Sequence, residues 1–390
     1  MASRATLFAI RRRLQRTLLA ACLAALCIDS TAAAPPEWPV ATLPASLAAY
    51  FRPPARYAND YGAFRSPLVF DDGRRVASAA EWPARRREIL KYWHGVMGPW
   101  PELLARPRWE VVSEEARGNL RQLRVRVEVD AGRLLDGWLL IPHHPGQRPA
   151  ALVVYYEPET SIGLQGAQRD FAYQLALRGF VTLAIGSPPI DARHPDTAGA
   201  RCQPLSYLAY VAANCHTALA QRSDVDPARI GVVGHSYGGK WALFAACLYD
   251  KFACVAVSDP GIVWDEERPN VNYWEPWYLG RDERVARTPG VPSGDNPRTG
   301  AYKTLFESGH DLVELQALLA PRPLLVSGGS EDPVERWRAL NHLRAVNELL
   351  GYEDRVGMSN RSGHDPTEAS NRVLYEFMEL TLAQERPMQE

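Results

Sequence analysis

The chain has 390 residues, of which 46% are hydrophobic and 23% are charged, and its formal net charge is -1. Such a composition is typical of a globular protein that forms one large domain with an extension, or two domains. The balanced charge excludes a strongly basic protein, so we expect no nucleic acid partner and no attraction to an anionic membrane.

The first 33 residues have the pattern of an export signal. They contain five arginines and one acid, and a short apolar run over 17–28 is followed by small residues at 31–33. The run is too short to span a bilayer, so we predict a cleaved signal peptide over 1–33 and no membrane contact after its removal. The arginines also permit the twin-arginine route, and Cys22 permits a lipoprotein signal. In each case the mature protein is exported, to the periplasm or the extracellular space.

Four cysteines remain after such a cleavage, and they bear on the redox state of the exported protein. Cys202, Cys215, Cys247 and Cys254 are an even number, which allows one or two disulfides in an oxidising compartment. Cys247 and Cys254 fall in a predicted core helix and strand, where buried free thiols are equally expected.

Residues 34–105 are rich in proline, tryptophan and arginine and show no regular β alternation. They predict one helix, from Glu81 to about Val96, that ends at the Gly-Pro-Trp-Pro segment 98–101. Because the segment has too little apolar surface to fold alone, we predict an N-terminal extension that packs on a main domain spanning 106–390.

The main domain begins with strands and continues with alternating strands and helices. An alternating segment at 123–129 and its neighbour at 135–141 predict antiparallel strands, whereas the apolar run 150–156 suits a buried parallel strand. Further strands are predicted at 180–185, 229–233, 253–257, 323–326 and 355–358, with helices near 167–178, 204–221, 239–248, 311–319 and 335–350 and from about 367. This order predicts an α/β fold with a doubly wound, mostly parallel sheet and helices on both faces.

The most informative motif lies between the strand at 229–233 and the following helix. There Gly234-His235-Ser236-Tyr237-Gly238-Gly239 contains G-x-S-x-G. A strand, this motif and a helix form the nucleophile elbow of the α/β-hydrolase fold, in which the serine hydroxyl is exposed at a sharp turn. The same stretch also fits G-x-x-x-x-G-K, but Trp241 stands where a phosphate-binding loop needs serine or threonine.

A serine nucleophile needs a base and an orienting acid, which in this fold follow it in the order acid, then histidine. His364 lies in a loop after the last strand and before the last helix, so we predict that it is the base. The acid is open between Asp332, after the strand at 323–326, and Asp259, after the strand at 253–257. Asp332 is the first choice, Asp259 is the alternative, and Glu331 is a further candidate.

Two backbone amides are expected to form the oxyanion hole. The first belongs to Tyr237, directly after the nucleophile, and the second to the loop after strand 150–156, at Tyr156 or Glu157.

The chain resembles secreted carbohydrate esterases of the α/β-hydrolase fold, in particular glucuronoyl esterases and related acetylxylan esterases. The likeness covers about residues 80–385 and rests on the elbow with Lys240, the segment Asn272–Tyr278, the Ala-Pro-Arg-Pro lead at 320–323 and the Trp-to-Pro segment 82–99. It implies that Lys240 and Trp277 contact the sugar and that Asp259 stands where many of these enzymes carry a catalytic glutamate. The family arginine after the nucleophile, implicated in oxyanion stabilisation, is Tyr237 here.

We therefore predict a secreted serine carboxylester hydrolase that works through an acyl-enzyme and needs neither a metal nor an organic cofactor. Its expected substrate is a small-molecule or polysaccharide ester, with an acetyl or glucuronoyl group. The alternatives are a serine peptidase of the prolyl-oligopeptidase type, although the segment before the sheet is too short for a gating propeller, and a non-catalytic binding protein on a hydrolase scaffold.

Overall fold

A computed structural model describes residues 43–166, 168–188, 192–194 and 196–383. The signal peptide predicted over 1–33 and the first residues of the predicted extension lie outside these ranges. The boundaries 34–105 and 106–390 remain a prediction.

One mixed sheet of nine strands forms the centre of the described chain. The first four strands in spatial order, β1, β2, β3 and β5, pair antiparallel, and all later pairs are parallel. The spatial order is β1-β2-β3-β5-β4-β6-β7-β8-β9. The strands are β1 Trp109–Arg117, β2 Leu120–Asp130, β3 Arg133–Pro142, β4 Arg148–Val154, β5 Val181–Ile185, β6 Val225–His235, β7 Val255–Ser258, β8 Leu324–Gly328 and β9 Val356–Asn360.

Helices connect the parallel strands and carry the apolar surface that covers the sheet. They are α1 Ala45–Ala48, α2 Trp82–Met97, α3 Pro158–Ser161, α4 Phe171–Leu177, α5 Pro204–Ala220, α6 Tyr237–Leu248, α7 Gly300–Glu307, α8 Leu312–Ala317, α9 Trp337–Leu349 and α10 Glu368–Met378. Short 3-10 turns occur at Ala49–Phe51, Ala55–Tyr57, Pro269–Val271 and Val334–Arg336, and a π turn at Glu379–Ala383. The central helices α5 and α6 are buried along nearly their whole length, because both pack on the sheet and on each other.

The predicted fold class is confirmed, and the differences are local. Strand β4 ends at Val154, so Tyr155 and Tyr156 leave the sheet instead of continuing the strand. The edge strand β1 was not predicted, because nearly all its side chains are solvent-exposed and give no apolar signal. Helix α7 lies between the predicted strand at 253–257 and the predicted helix near 311–319, a stretch for which no helix or strand is predicted above.

The described part of the N-terminal segment packs on the helices beside the sheet. Trp93 on α2 is fully buried, and its ring contacts Phe244 of α6 and Trp264. Arg85, also on α2, forms a buried ion pair with Glu314 of α8, at 3.1 Å. Burial of both apolar and charged groups attaches α2 to the rest of the chain.

All four cysteines outside the predicted signal are buried free thiols. Burial raises the pKa of the Cys202 thiol to about 11. Within the described ranges, no helix combines the length and hydropathy that crossing a bilayer requires.

Candidate active site

Ser236 stands at the turn between β6 and α6 with a strained backbone. Its φ of 54° lies in the left-handed region, which costs a non-glycine residue free energy and is retained where the surroundings impose it. A Cβ on Gly234 would lie 2.2 Å from the carbonyl oxygen of Gly238, and one on Gly238 would lie 1.9 Å from the carbonyl oxygen of Val154. The two motif glycines are therefore required by the close approach of β6, α6 and β4.

Three side chains form a continuous hydrogen-bonded chain at the carboxyl edge of the sheet. The Nε2 atom of His364 lies 2.8 Å from Oγ of Ser236, and its Nδ1 atom lies 2.8 Å from Oδ2 of Asp259. Asp259 is fully buried, whereas the imidazole is 27% exposed. Ser236 and His364 are the residues predicted as nucleophile and base, and Asp259 is the alternative acid.

The first-choice acid, Asp332, does not contact the imidazole in this structure. Its Oδ2 accepts a hydrogen bond from the amide of Gly261 at 2.8 Å, and its Oδ1 accepts one from Ile262 at 2.6 Å. The carboxylate is therefore used to hold the backbone that follows Asp259. In this structure the carboxylate that contacts the imidazole is therefore that of Asp259, the alternative acid, and not that of Asp332, the first choice.

Asp259 and Asp332 each accept hydrogen bonds from backbone amides of the loop that carries the other. Oδ1 of Asp259 accepts from the amides of Gly329 at 2.6 Å and Asp332 at 2.8 Å, which leaves its Oδ2 to face His364. Both carboxylates are buried, and burial followed by the nearby charge of Asp259 raises the pKa of Asp332. Asp259 itself has a φ of 52°, a conformation that aspartate tolerates better than most residues.

The third acid candidate, Glu331, lies close to Asp259 and His364 but is not hydrogen bonded to the imidazole. Its Oε1 accepts from Nδ2 of Asn270 at 3.2 Å and from the hydroxyl of Ser330 at 2.9 Å. Ligand-type atoms of Asp259, Glu331 and His364 all lie within 4.8 Å of one another. Because both ring nitrogens of His364 already have hydrogen-bonding partners, the arrangement suits proton transfer better than metal binding.

The ring of His235 contacts that of His364, with centroids 4.8 Å apart, but has a different environment. It is 1% exposed, and its Nδ1 lies 3.0 Å from the carbonyl oxygen of Ser258. Burial, followed by the neighbouring His364, holds its pKa well below the usual value. A neutral imidazole that donates from Nδ1 to this carbonyl fits those surroundings.

One predicted oxyanion residue, Tyr237, directly follows Ser236, and the other, Tyr156, contacts Tyr237. Tyr237 is the first residue of α6, so its amide has no acceptor inside the helix. The side chain of Tyr237 is buried and donates to Oγ of Ser187 at 2.9 Å, so only its backbone can serve an oxyanion. Tyr156 follows the end of β4, and its ring stacks on that of Tyr237 with centroids 4.5 Å apart.

The two predicted sugar contacts differ in exposure. Lys240 is 1% exposed; its Nζ donates to the carbonyl oxygen of Asn270 at 2.8 Å and lies over the rings of Tyr273 and Tyr278. Burial lowers the pKa of Lys240 to about 8. Trp277 is half-buried, and its indole faces the guanidinium of Arg193 at 6.0 Å. In this structure Trp277 is therefore accessible, whereas the ammonium of Lys240 is enclosed.

Two polar residues close to the triad were not predicted from the sequence. The carbonyl of Ser258 accepts from the amide of Ser236 at 2.8 Å, and its hydroxyl accepts from the guanidinium of Arg361 at 3.1 Å. Arg361 stands three residues before His364, but no local pattern separates an enclosed arginine from a solvated one.

The chain is similar in sequence and in fold to several known proteins. The model of the prolyl oligopeptidase family matches residues 212–289, which include the elbow. The 4-O-methyl-glucuronoyl methylesterase of Schizophyllum commune is 25% identical over 327 residues, 79% of this chain and 78% of the relative. A glucuronoyl esterase from Solibacter usitatus superposes with a TM-score of 0.65 at 19% identity, over 82% of this chain and 98% of that one. A promiscuous CE15 esterase from a marine bacterial metagenome gives a TM-score of 0.64 at 18% identity, over 82% and 97%.

The fold is that of the α/β-hydrolases, and the predicted resemblance to glucuronoyl esterases is confirmed. The predicted enzyme class, a carboxylic ester hydrolase, is confirmed by the same comparisons.

Proposed function

We propose that the protein is a serine carboxylester hydrolase that acts on esterified carbohydrate through Ser236, His364 and Asp259. The observation that carries the proposal is the pair of 2.8 Å hydrogen bonds joining these side chains, which starts at a serine in a strained turn. A nucleophile, a base within reach of it and a buried acid behind the base are the parts that acyl transfer needs.

The proposed reaction has two halves. Nε2 of His364 takes the proton of the Ser236 hydroxyl while Oγ attacks the ester carbonyl, and the same proton is then given to the departing alcohol. Asp259 holds the imidazole so that Nδ1 carries a proton, and its buried charge stabilises the imidazolium. Water activated by His364 then cleaves the acyl-enzyme and frees Ser236.

The developing negative charge of each tetrahedral intermediate needs donors in fixed positions. The amide of Tyr237 at the N-terminus of α6 is one such donor, and the loop amide of Tyr156 is proposed as the second. The helix N-terminus adds a favourable potential at the same point.

The proposed substrates are glucuronoyl or acetyl esters of carbohydrate, which follows the names of the glucuronoyl esterase relatives and of a structural neighbour, a putative acetyl xylan esterase from Bacteroides fragilis. Trp277 and the partly exposed ring of Tyr156 are proposed as sugar-contacting surfaces, since aromatic faces pack on the apolar faces of sugar rings. Lys240, which is enclosed here, is proposed to support the pocket wall through Asn270.

The test measures hydrolysis of benzyl glucuronate and of p-nitrophenyl acetate by the mature protein, with Ser236→Ala as the blank. Loss of the nucleophile removes the covalent step, so we expect a fall in kcat of about 10⁴-fold or more in the variant. Turnover of the glucuronate ester identifies a sugar-acid esterase, and turnover of the acetate alone identifies a deacetylating enzyme. Equal activity of Ser236→Ala and wild type would refute the proposal.

A serine peptidase is the second candidate, because the prolyl oligopeptidase family model matches residues 212–289. The same triad serves both reactions, so the substrates decide. Cleavage of a proline-containing peptide p-nitroanilide, at a rate above that of both esters, would favour this candidate.

We also propose that the protein is exported after cleavage near residue 33 and that residues 34–105 form an extension of the catalytic domain. The arginine-rich start followed by an apolar run supports export, and the contacts of α2 support the extension. N-terminal sequencing of the protein recovered from outside the cytoplasm tests the cleavage; an intact Met1 would contradict it.

A further inference from the structure

The loop that carries His364 has little apolar packing of its own. It follows β9, and its Ser362 and Gly363 are exposed; a Cβ on Gly363 would meet no atom within 4 Å. The imidazole is itself partly exposed. Between β9 and the buried Pro366, the loop is therefore held largely by polar contacts.

Arg361 supplies most of these polar contacts. Its Nε donates to the carbonyl oxygen of Asp365 at 2.7 Å, and its NH2 donates to the carbonyl oxygen of His364. The guanidinium thus binds the carbonyl oxygens of the residues three and four positions after it, which holds the loop in a compact turn.

The same guanidinium attaches the loop to the strand ends. Its NH1 donates to the carbonyl oxygen of Ser327 at 2.8 Å, to the hydroxyl of that residue at 3.1 Å and to the carbonyl oxygen of Gly328 at 3.3 Å. Its NH2 also donates to Oγ of Ser258 at 3.1 Å. Arg361 therefore joins the ends of β7 and β8 to the histidine loop with a rigid fork of five N–H groups.

The contact with Ser258 links the guanidinium to the other two members of the site. Ser258 directly precedes Asp259, and its carbonyl accepts the amide of Ser236 at 2.8 Å. Arg361 thus contacts both the loop of His364 and Ser258. Ser258 in turn accepts the backbone amide of Ser236.

We propose that Arg361 is a positioning residue: it holds the histidine loop against β7 and β8 so that His364 reaches Ser236 and Asp259 together. This inference rests on the proposed function. Displacement of a catalytic group by about 1 Å can cost about 10²-fold in rate, so loss of the fork should lower kcat by that order. Because the guanidinium is engaged by the histidine loop and the strand ends, it is not proposed to bind substrate, and KM should change little.

The experiment compares Arg361→Met and Arg361→Lys with the control Arg322→Met. Arg322 is buried, whereas Arg361 is partly buried, and it also donates to several backbone carbonyls, those of Tyr249, Phe252 and Leu318, none of which belongs to the site. Measured quantities are kcat and KM on the ester that the wild type hydrolyses, the rate at which a fluorophosphonate labels Ser236, and the melting temperature.

We expect Arg361→Met to lose about 10²-fold in kcat and a similar factor in labelling rate, with KM nearly unchanged. The kcat of Arg361→Lys should lie between those of wild type and Arg361→Met, because an ammonium keeps the charge but cannot hydrogen bond to the loop and the strand ends at once. Guanidinium added to Arg361→Ala should restore part of its kcat. Arg322→Met should lower the melting temperature and leave kcat of the folded enzyme near wild type.

The inference is overturned if Arg361→Met and Arg322→Met lose stability alike and both retain wild-type kcat, or if kcat falls equally in both. If Arg361→Met does not fold, Arg361→Lys decides by the same comparison. An active Ser236→Ala would instead refute the proposed function, whereas an inactive Ser236→Ala together with normal Arg361 variants would refute only this inference.

Discussion

At the scale of single residues, the main feature of the site is that two buried aspartates make different contacts. Asp259 uses one oxygen to accept loop amides and the other to face His364. Asp332 uses both oxygens on the amides of Gly261 and Ile262. The same residue type therefore orients an imidazole in one place and fixes a loop in the other.

Asp259→Asn should lower kcat by about 10⁴-fold. The amide oxygen of asparagine must stay with Gly329 and Asp332, so its NH2 group would face Nδ1 of His364. That contact favours the wrong tautomer, in which Nε2 carries the proton and cannot accept one from Ser236. Steady-state kinetics on the preferred ester measures the effect.

Asp332→Asn is the matched control, because it leaves the imidazole's partner intact. Its NH2 group would face the amide of Gly261 or Ile262 and could not accept its hydrogen bond. The variant should therefore lose about 1–3 kcal/mol of stability, and its kcat should fall much less than that of Asp259→Asn. A larger loss of kcat in Asp332→Asn than in Asp259→Asn would assign the orienting role to Asp332 instead.

At the scale of elements, the junction of β6 and α6 sets the position of the nucleophile. The helix starts directly after Ser236, and the Cα of Gly238 approaches the end of β4 so closely that no side chain fits. Ser236 is thus partly exposed, because strand and helix meet without side chains between them.

Gly238→Ala tests this junction. A Cβ placed 1.9 Å from the carbonyl oxygen of Val154 forces α6 away from β4, so we expect a loss of stability and a fall in kcat of about 10²-fold. The control is Gly95→Ala, an exposed position on α2 where a Cβ meets no atom within 4 Å; it should gain about 0.5–1 kcal/mol of stability at unchanged activity. Thermal unfolding and kinetics of both variants provide the comparison, and an unaffected Gly238→Ala would contradict the close approach.

The elbow and His364 were predictable because both depend on local order along the chain: a strand, a glycine-flanked serine and a helix, then a loop histidine after the last strand. The acid was not, since two neighbouring strands each end near an aspartate. Which carboxylate faces the imidazole depends on loop backbone that no periodicity describes. The exposure of side chains could not be predicted from the sequence either. The match of Lys240 to a sugar-binding lysine does not show that its ammonium is enclosed by tyrosine rings.

At the scale of the whole described molecule, charge is buried at some distance from the catalytic residues, where α2 meets α8. Arg85 is 1% exposed and pairs with Glu314 at 3.1 Å, and its NH1 also reaches Asp71 at 2.7 Å and Glu88 at 3.0 Å. Glu314 in turn lies 2.5 Å from Nδ1 of His310. Such a buried network adds little net stability as a whole, but removing one partner leaves the others uncompensated.

Arg85→Met should therefore lower the free energy of unfolding by up to about 3–5 kcal/mol, because Glu314 loses its buried arginine and keeps only the partly exposed Arg65, at 3.4 Å. The control is Arg126→Met: that guanidinium pairs with Asp136 at 3.2 Å on the surface, where both side chains are about half exposed, and its loss should cost about 1 kcal/mol or less. Chemical denaturation measures both variants, and kcat below the transition should stay near wild type in each, since neither residue touches Ser236, His364 or Asp259. Equal stability of the two variants would mean that the charges between α2 and α8 are solvated in solution and that apolar contacts such as those of Trp93 alone attach the N-terminal segment.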